Sequence, residues 1–356
     1  MPRAVSANAL QPAEPWCPEA ETSAWGHHHE WTWRRQPSRG NQQQQWTCHW
    51  RVLGPSHGPA LVLLHGFGAS SGHWRRIAPK LADQGWQVFS LDLLGFGASE
   101  QPGIRQGGPL DNRIWGQQTA AFLQEIVQRP AVLVGNSLGG LSALTTAVLT
   151  PDLVRALVAA PLPDPALLQP VPRRRSPWRR RWQRGWLSLI VQLIPLQWIV
   201  PVIARSKLIR LGLQGAYTCS ITNDLDLQQL ICRPARRPTA ARALRAMTLG
   251  MGLRPSGATA PALLEQLATT QLPMLMLWGR NDRFVPLSVG QKVVDQHPWV
   301  ELKVLNHCGH CSHDEDPNQF LNALLPWLDR NLGNSRPAEH LGTDSGPHRG
   351  SNAHSD

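Results

Sequence analysis

The sequence predicts an α/β protein: a mostly parallel sheet with helices on both faces and a helical insertion before its last two strands. Two observations carry this prediction. Short aliphatic runs occur at 60–66, 86–93, 131–137, 155–161, 273–279 and 300–306, most of them roughly 20 to 45 residues apart, with amphipathic stretches between. Runs that are apolar at nearly every position are strands buried on both faces, as in a parallel sheet covered by helices. The second observation is a break in this rhythm: between Pro161 and Pro273 no comparable strand occurs, so an inserted cap is expected there.

The element boundaries follow. Residues 1–45 read as a flexible leader, rich in Pro, Ala, Gln and Ser, whose later part (EWTWRR) can begin an edge strand. Three consecutive histidines, His27 to His29, offer a weak metal-binding reading on that segment. The core is expected at 46–161 and 272–331, the cap at 162–271, and a disordered tail at 332–356, which lacks apolar periodicity.

Composition narrows the function class. The 356-residue chain has a formal charge of +11, but residues 173–184 (RRRSPWRRRWQR) alone hold seven arginines and no acid. Without them the balance is +4, which is a local basic feature and not a nucleic-acid-binding surface. The six cysteines show no secreted disulfide framework, and the N-terminus has no apolar signal core. A cytoplasmic location is therefore expected.

The chemistry is expected at Gly135-Asn136-Ser137-Leu138-Gly139, a G-x-S-x-G sequence that a strand (AVLV) enters and a helix (LGGLSALTTAVLT) leaves. A nucleophile on so sharp a turn sits in strained backbone above the sheet, and side chains two positions to either side would collide with the neighbouring strand and helix. The helix N-terminus beneath Ser137 favours developing negative charge. The oxyanion donors expected with such an elbow are the backbone N–H groups of Leu138 and of Phe67, in the loop after an earlier strand.

Asp282 follows the run PMLMLWG and His310 follows VELKVLN, each at the C-terminal end of a strand, where open α/β sheets place their sites. The acid would orient the imidazole, and the imidazole would take the serine proton and return it to the leaving group. Asp164 is the rival acid, one strand earlier, and Asp92 is expected to tie down its own glycine-rich loop. The histidine loop also admits other chemistry. His307, Cys308, His310, Cys311 and His313 are potential zinc ligands, and Cys308-Gly309-His310-Cys311 has the form of a redox pair. Either use would remove the base that Ser137 needs.

Within the insertion, GWLSLIVQLIPLQWIVPVIA (185–204) is almost long enough to span a bilayer, but Pro195, Pro201, Gln192 and Gln197 interrupt it. Cap helices lining an apolar pocket are expected, with peripheral membrane contact through 173–204 as the alternative.

These residues resemble the α/β-hydrolase family over roughly residues 46–331. Its chain order of serine, acid, then histidine makes His65 a structural residue, since it precedes Ser137. GNSLGG (135–140), GHCSHDEDP (309–317) and DLLGFGAS (92–99) are similar to the cyanobacterial and plant branch that includes pheophytinase, with Ser312 where that branch usually has proline. The resemblance implies an eight-stranded-type sheet, a photosynthetic source, no cofactor and no metal. It also implies a small apolar ester as substrate, such as the phytyl ester of a chlorophyll-type pigment. Serine at the nucleophile position disfavours the epoxide hydrolase and dehalogenase branches, which use aspartate, and Tyr217 is the only tyrosine. The expected reaction is ester hydrolysis through an acyl-enzyme. A C–C bond hydrolase, a cofactor-free peroxidase and a non-catalytic ligand-binding protein on the same scaffold are the alternatives.

Overall fold

The computed structural model describes residues 25–35, 43–168, 186 and 194–333. Its sheet has eight strands: β1 (His27–Arg35), β2 (Gln44–Leu53), β3 (Ala60–Leu64), β4 (Gln87–Leu91), β5 (Ala131–Gly135), β6 (Val154–Ala159), β7 (Met274–Gly279) and β8 (Val300–Leu305). The spatial order is β1-β2-β4-β3-β5-β6-β7-β8. The β1–β2 and β2–β4 pairs are antiparallel, and the remaining pairs are parallel.

Among the described residues, the helices of six residues or more are α1 (Ala78–Asp83), α2 (Asn112–Phe122), α3 (Leu138–Leu149), α4 (Leu196–Arg205), α5 (Lys207–Gln214), α6 (Leu225–Arg236), α7 (Ala240–Leu253), α8 (Ala260–Leu267), α9 (Leu287–Gln296) and α10 (Pro317–Leu332). Each inner strand contributes to two cores. Val62, Leu64 and Leu133 pack with α2, α3 and α8 on one face of the sheet, while Leu61, Leu63, Val132 and Val134 pack with α1 and α10 on the other. This is the period-2 logic of a strand covered on both sides, and it explains why these strands read as unbroken apolar runs.

Two boundaries differ from the sequence reading. The sheet begins at His27, inside the expected leader, because Trp31, Trp33, Trp46 and Cys48 from β1 and β2 are buried against the core. The histidine triplet lies on β1, where successive side chains point to opposite faces and three neighbours cannot converge on one ion. His29 instead stacks on Trp50, with ring centroids 4.5 Å apart. At the other boundary, α8 belongs to the core and not to the covering layer, since Ala260, Leu263, Leu264 and Leu267 all pack into it. The arginine run 173–184, the expected disordered tail beyond 333 and the first part of the leader lie outside the described residues. No helix among the described residues is long and apolar enough to cross a membrane.

Candidate active site

Ser137 is the N-cap of α3, at φ 51° and ψ −116°. An L-residue held there stores roughly 1–3 kcal/mol of strain, which persists only where the surroundings enforce it. They do so here through two glycines. A Cβ on Gly135 would lie 2.3 Å from the backbone of Gly139, and one on Gly139 would lie 2.0 Å from the Leu64 carbonyl oxygen. The elbow also has a clamp: Asn136 Nδ2 donates to the carbonyls of Ala160 (2.6 Å) and His310 (3.1 Å). It thus joins the serine turn to the backbone of the candidate base.

His310 Nδ1 lies 2.8 Å from Asp282 Oδ2, and both side chains are buried. The other oxygen of Asp282 accepts from the N–H groups of Phe284 (2.8 Å) and Val285 (2.9 Å), so the carboxylate is fixed from both ends. The loops carrying acid and base are packed together, with Asn281 N donating to the Cys308 carbonyl at 2.9 Å. Glu315 accepts from Gly309 N at 2.6 Å, which secures the start of the histidine loop. The Phe284 ring stands edge-on to His310, with centroids 5.3 Å apart.

Ser137, His310 and Phe67 line one cavity of about 680 Å³. Its walls are largely apolar: Phe96 and Phe284 from core loops, and Ile203, Leu213, Ile231 and Met247 from the insertion. Among the described residues, the N–H groups of Phe67 and Leu138 donate to no other group, which leaves both expected oxyanion donors available.

The rival residues are occupied elsewhere. Asp164 caps a short turn at Ala166 N (2.9 Å), accepts from Ala260 N (2.7 Å) and pairs with Arg254. It therefore joins the strand end to α8 and the insertion, and its side chain has no exposure. Asp164→Ala leaves Arg254 buried without its partner, and such losses cost about 3 kcal/mol or more. The expected outcome is a clearly lower denaturant midpoint with normal serine reactivity in the folded fraction. Lost reactivity in folded Asp164→Ala would restore Asp164 as the acid.

His65 is held as one neutral tautomer. Its Nε2 accepts from Leu93 N (3.0 Å) and its Nδ1–H donates to the Gly66 carbonyl (2.8 Å), while burial pushes its pKa down. Asp92 accepts from Ser71 N (2.5 Å) and Ala98 N (2.8 Å), tying its loop as expected. In the histidine loop, Cys308 and Cys311 are free and buried. Burial pushes the Cys308 thiol up to about 12 and Cys311 higher still, the reverse of a redox thiolate. His313 lies against Trp74, with centroids 4.2 Å apart, and among the described residues no three of these side chains are grouped as metal ligands.

Sequence reasoning missed a buried chain beside the site. His73, which lines the cavity, meets the Tyr217 hydroxyl at 2.8 Å, and that hydroxyl donates to Asp314 Oδ2 at 3.0 Å. Arg75 then bridges Asp314 and Asp224 at the start of α6. Tyr217 belongs to the insertion, and the neighbouring Ala216 carbonyl accepts from His310 N at 2.8 Å. The insertion is thus anchored on the candidate base's own loop.

Fold and site together define a hydrolase-type architecture, and the family model of the alpha/beta hydrolase family matches residues 61–324. The chain belongs to that family. It is 28% identical to a 2-hydroxy-6-oxononadienedioate/2-hydroxy-6-oxononatrienedioate hydrolase of Burkholderia vietnamiensis, over 76% of this chain and 87% of that one. It is 30% identical to a pimeloyl-[acyl-carrier protein] methyl ester esterase of Chromobacterium violaceum, over 76% of this chain and 95% of that one. Among solved structures, a probable hydrolytic enzyme of Pseudomonas aeruginosa superposes with a TM-score of 0.62 at 21% identity, covering 85% of this chain and 94% of that one. These relatives are bacterial hydrolases, and none of their names points to a chlorophyll-type pigment or a photosynthetic source.

Proposed function

We propose that the protein is a serine hydrolase that cleaves an apolar carboxylic ester through an acyl-enzyme. The observation that carries this reading is the buried 2.8 Å contact of His310 with Asp282, on a cavity wall that also presents Ser137. In this reading Ser137 Oγ attacks the ester carbonyl and its proton passes to His310, whose cation Asp282 stabilises. The N–H groups of Phe67 and Leu138 receive the oxyanion. Collapse expels the alcohol, which takes the proton from His310, and water then releases the acid by the same sequence.

A second reading, hydrolysis of a C–C bond next to a ketone, is favoured by the names of several relatives. Those names include diacids. The cavity's polar atoms belong to neutral groups and the imidazoles, and no Lys or Arg lines it among the described residues, which suits an uncharged substrate better. The finer suggestion of a phytyl ester rests on the GNSLGG, GHCSHDEDP and DLLGFGAS segments alone.

Two experiments test the proposal. A fluorophosphonate probe is expected to label wild type and not Ser137→Ala; persistent labelling of the variant would remove the serine mechanism. Turnover of short p-nitrophenyl esters, pheophytin and a 2-hydroxy-6-oxo-dienedioate then separates the substrate classes. Selective turnover of the last compound would replace the ester reading by the C–C reading.

A further inference from the structure

The insertion displays exposed apolar side chains beside exposed cations. On α4, Trp198 and Val202 are 73% and 67% exposed; on α5, Leu208 and Leu211 are 59% and 67% exposed. Trp198 with Val202 and Leu208 with Leu211 are spaced at i,i+4 and i,i+3, so each pair shares a helix face. Arg205, Lys207 and Arg210 are exposed in the same stretch. The sequence from 165 to 223 contains ten Lys and Arg and no Asp or Glu, nearly the whole of the formal +11.

We infer that α4 and α5 form a docking surface for an anionic lipid membrane. Large apolar side chains in such density on a protein surface mark an interaction site, and the charge decides the partner. A second copy of this chain would bring a like-charged surface against this one. A nucleic acid would leave Trp198, Val202 and Leu211 without an apolar partner, since its interfaces are polar. A bilayer interface with anionic headgroups satisfies both features, with cations at the phosphate level and Trp and aliphatic side chains beneath it. Away from Trp198, Val202 and Leu211, the same helices carry Val200, Ala204, Ile209 and Leu213 into the wall of the cavity, and the exposed Leu208 reaches its rim. Docking would therefore place the cavity wall directly behind the membrane contact. The docking itself does not depend on the chemistry proposed above.

The test is co-sedimentation of the full chain with vesicles of mixed phosphatidylglycerol and phosphatidylcholine, compared with pure phosphatidylcholine. Ser137→Ala is run alongside wild type, so that a failure of the chemistry leaves the binding readout intact. Binding is expected on the anionic vesicles, weakening with added salt, and much less on the neutral ones. Each surface cation contributes about fivefold in affinity, so K207Q/R210Q is expected to bind about 25-fold more weakly. W198S/V202S/L211S is expected to lose about tenfold or more. None of these five residues lines the cavity, so labelling by the fluorophosphonate probe reports that the variants remain folded. Equal binding to both vesicle types, no binding to either, or unchanged binding by both variants would overturn the inference. So would a solution dimer that the apolar variant dissociates while vesicle binding persists.

Discussion

Asp282→Asn is expected to lower kcat/KM by about 10⁴-fold while leaving the fold intact, the size of loss seen when a triad acid becomes an amide. The amide keeps Oδ1, so the bonds from Phe284 N and Val285 N survive. What changes is the atom facing His310. An Nδ2H₂ group at 2.8 Å from Nδ1 must donate, which forces the imidazole proton onto Nε2. In that tautomer the nitrogen meant for Ser137 carries a hydrogen and cannot accept the serine proton. The rate of fluorophosphonate labelling reports this directly, and a thermal melt checks that the loops have kept their packing. Labelling of folded Asp282→Asn at the wild-type rate would show that Asp282 is a turn residue and not the acid.

How far this site was legible depends on whether its partners are side chains or backbone. The strands from β3 to β7 announced themselves because both their faces are buried, which leaves nearly unbroken apolar runs, and β8, at the sheet's edge, did so through Val300, Leu302 and Val304 alternating with Glu301 and Lys303. β2 did not, because its buried Trp46 and Cys48 alternate with Gln45, Thr47 and His49 beside a run of glutamines. A strand with only one face covered has that pattern, and it resembles a low-complexity leader. The Ser137 elbow was legible because steric exclusion at Gly135 and Gly139 leaves a mark in the sequence. Asp282 and Asp164 looked alike, since each is an aspartate after a strand, and only the third dimension shows that one faces His310 and the other Arg254. Asn136, Glu315 and Tyr217 were silent for a different reason. Their partners are the His310 carbonyl, the Gly309 N–H and the Asp314 carboxylate, at sequence separations that no spacing rule predicts.

The second large effect is acid lability centred on the wall between His73 and His313. Burial lowers the His73 pKa from 6.5 to about 4, helped by Arg75, His65 and His310 and opposed by Asp314. Burial also lowers His313 well below 6.5, with His73, His310 and Arg75 acting in the same direction. The His73 and His313 rings meet edge to face, with centroids 4.6 Å apart, so a proton on either burdens the other. The sign follows from which state binds the proton first. Below pH 6.5 the unfolded chain takes up protons at these imidazoles and the folded chain does not, so folding stability falls as pH falls. The loss begins near the unfolded value of 6.5 and, for His73, levels off near the folded value of about 4. At 1.36 kcal/mol per pKa unit, His73 alone would lose roughly 3 kcal/mol across that window. Both ring nitrogens of His313 lack a hydrogen-bond partner among the described residues, while its ring packs on Trp74 and Phe320. A phenyl ring could take that place without leaving a polar atom unsatisfied, a gain of about 1 kcal/mol or more at neutral pH. His313→Phe is therefore expected to be at least as stable as wild type at pH 7 and to lose less between pH 7 and 5. Denaturant titrations at those two pH values measure both quantities, and equal pH slopes for the two proteins would show that His313 does not govern the acid response.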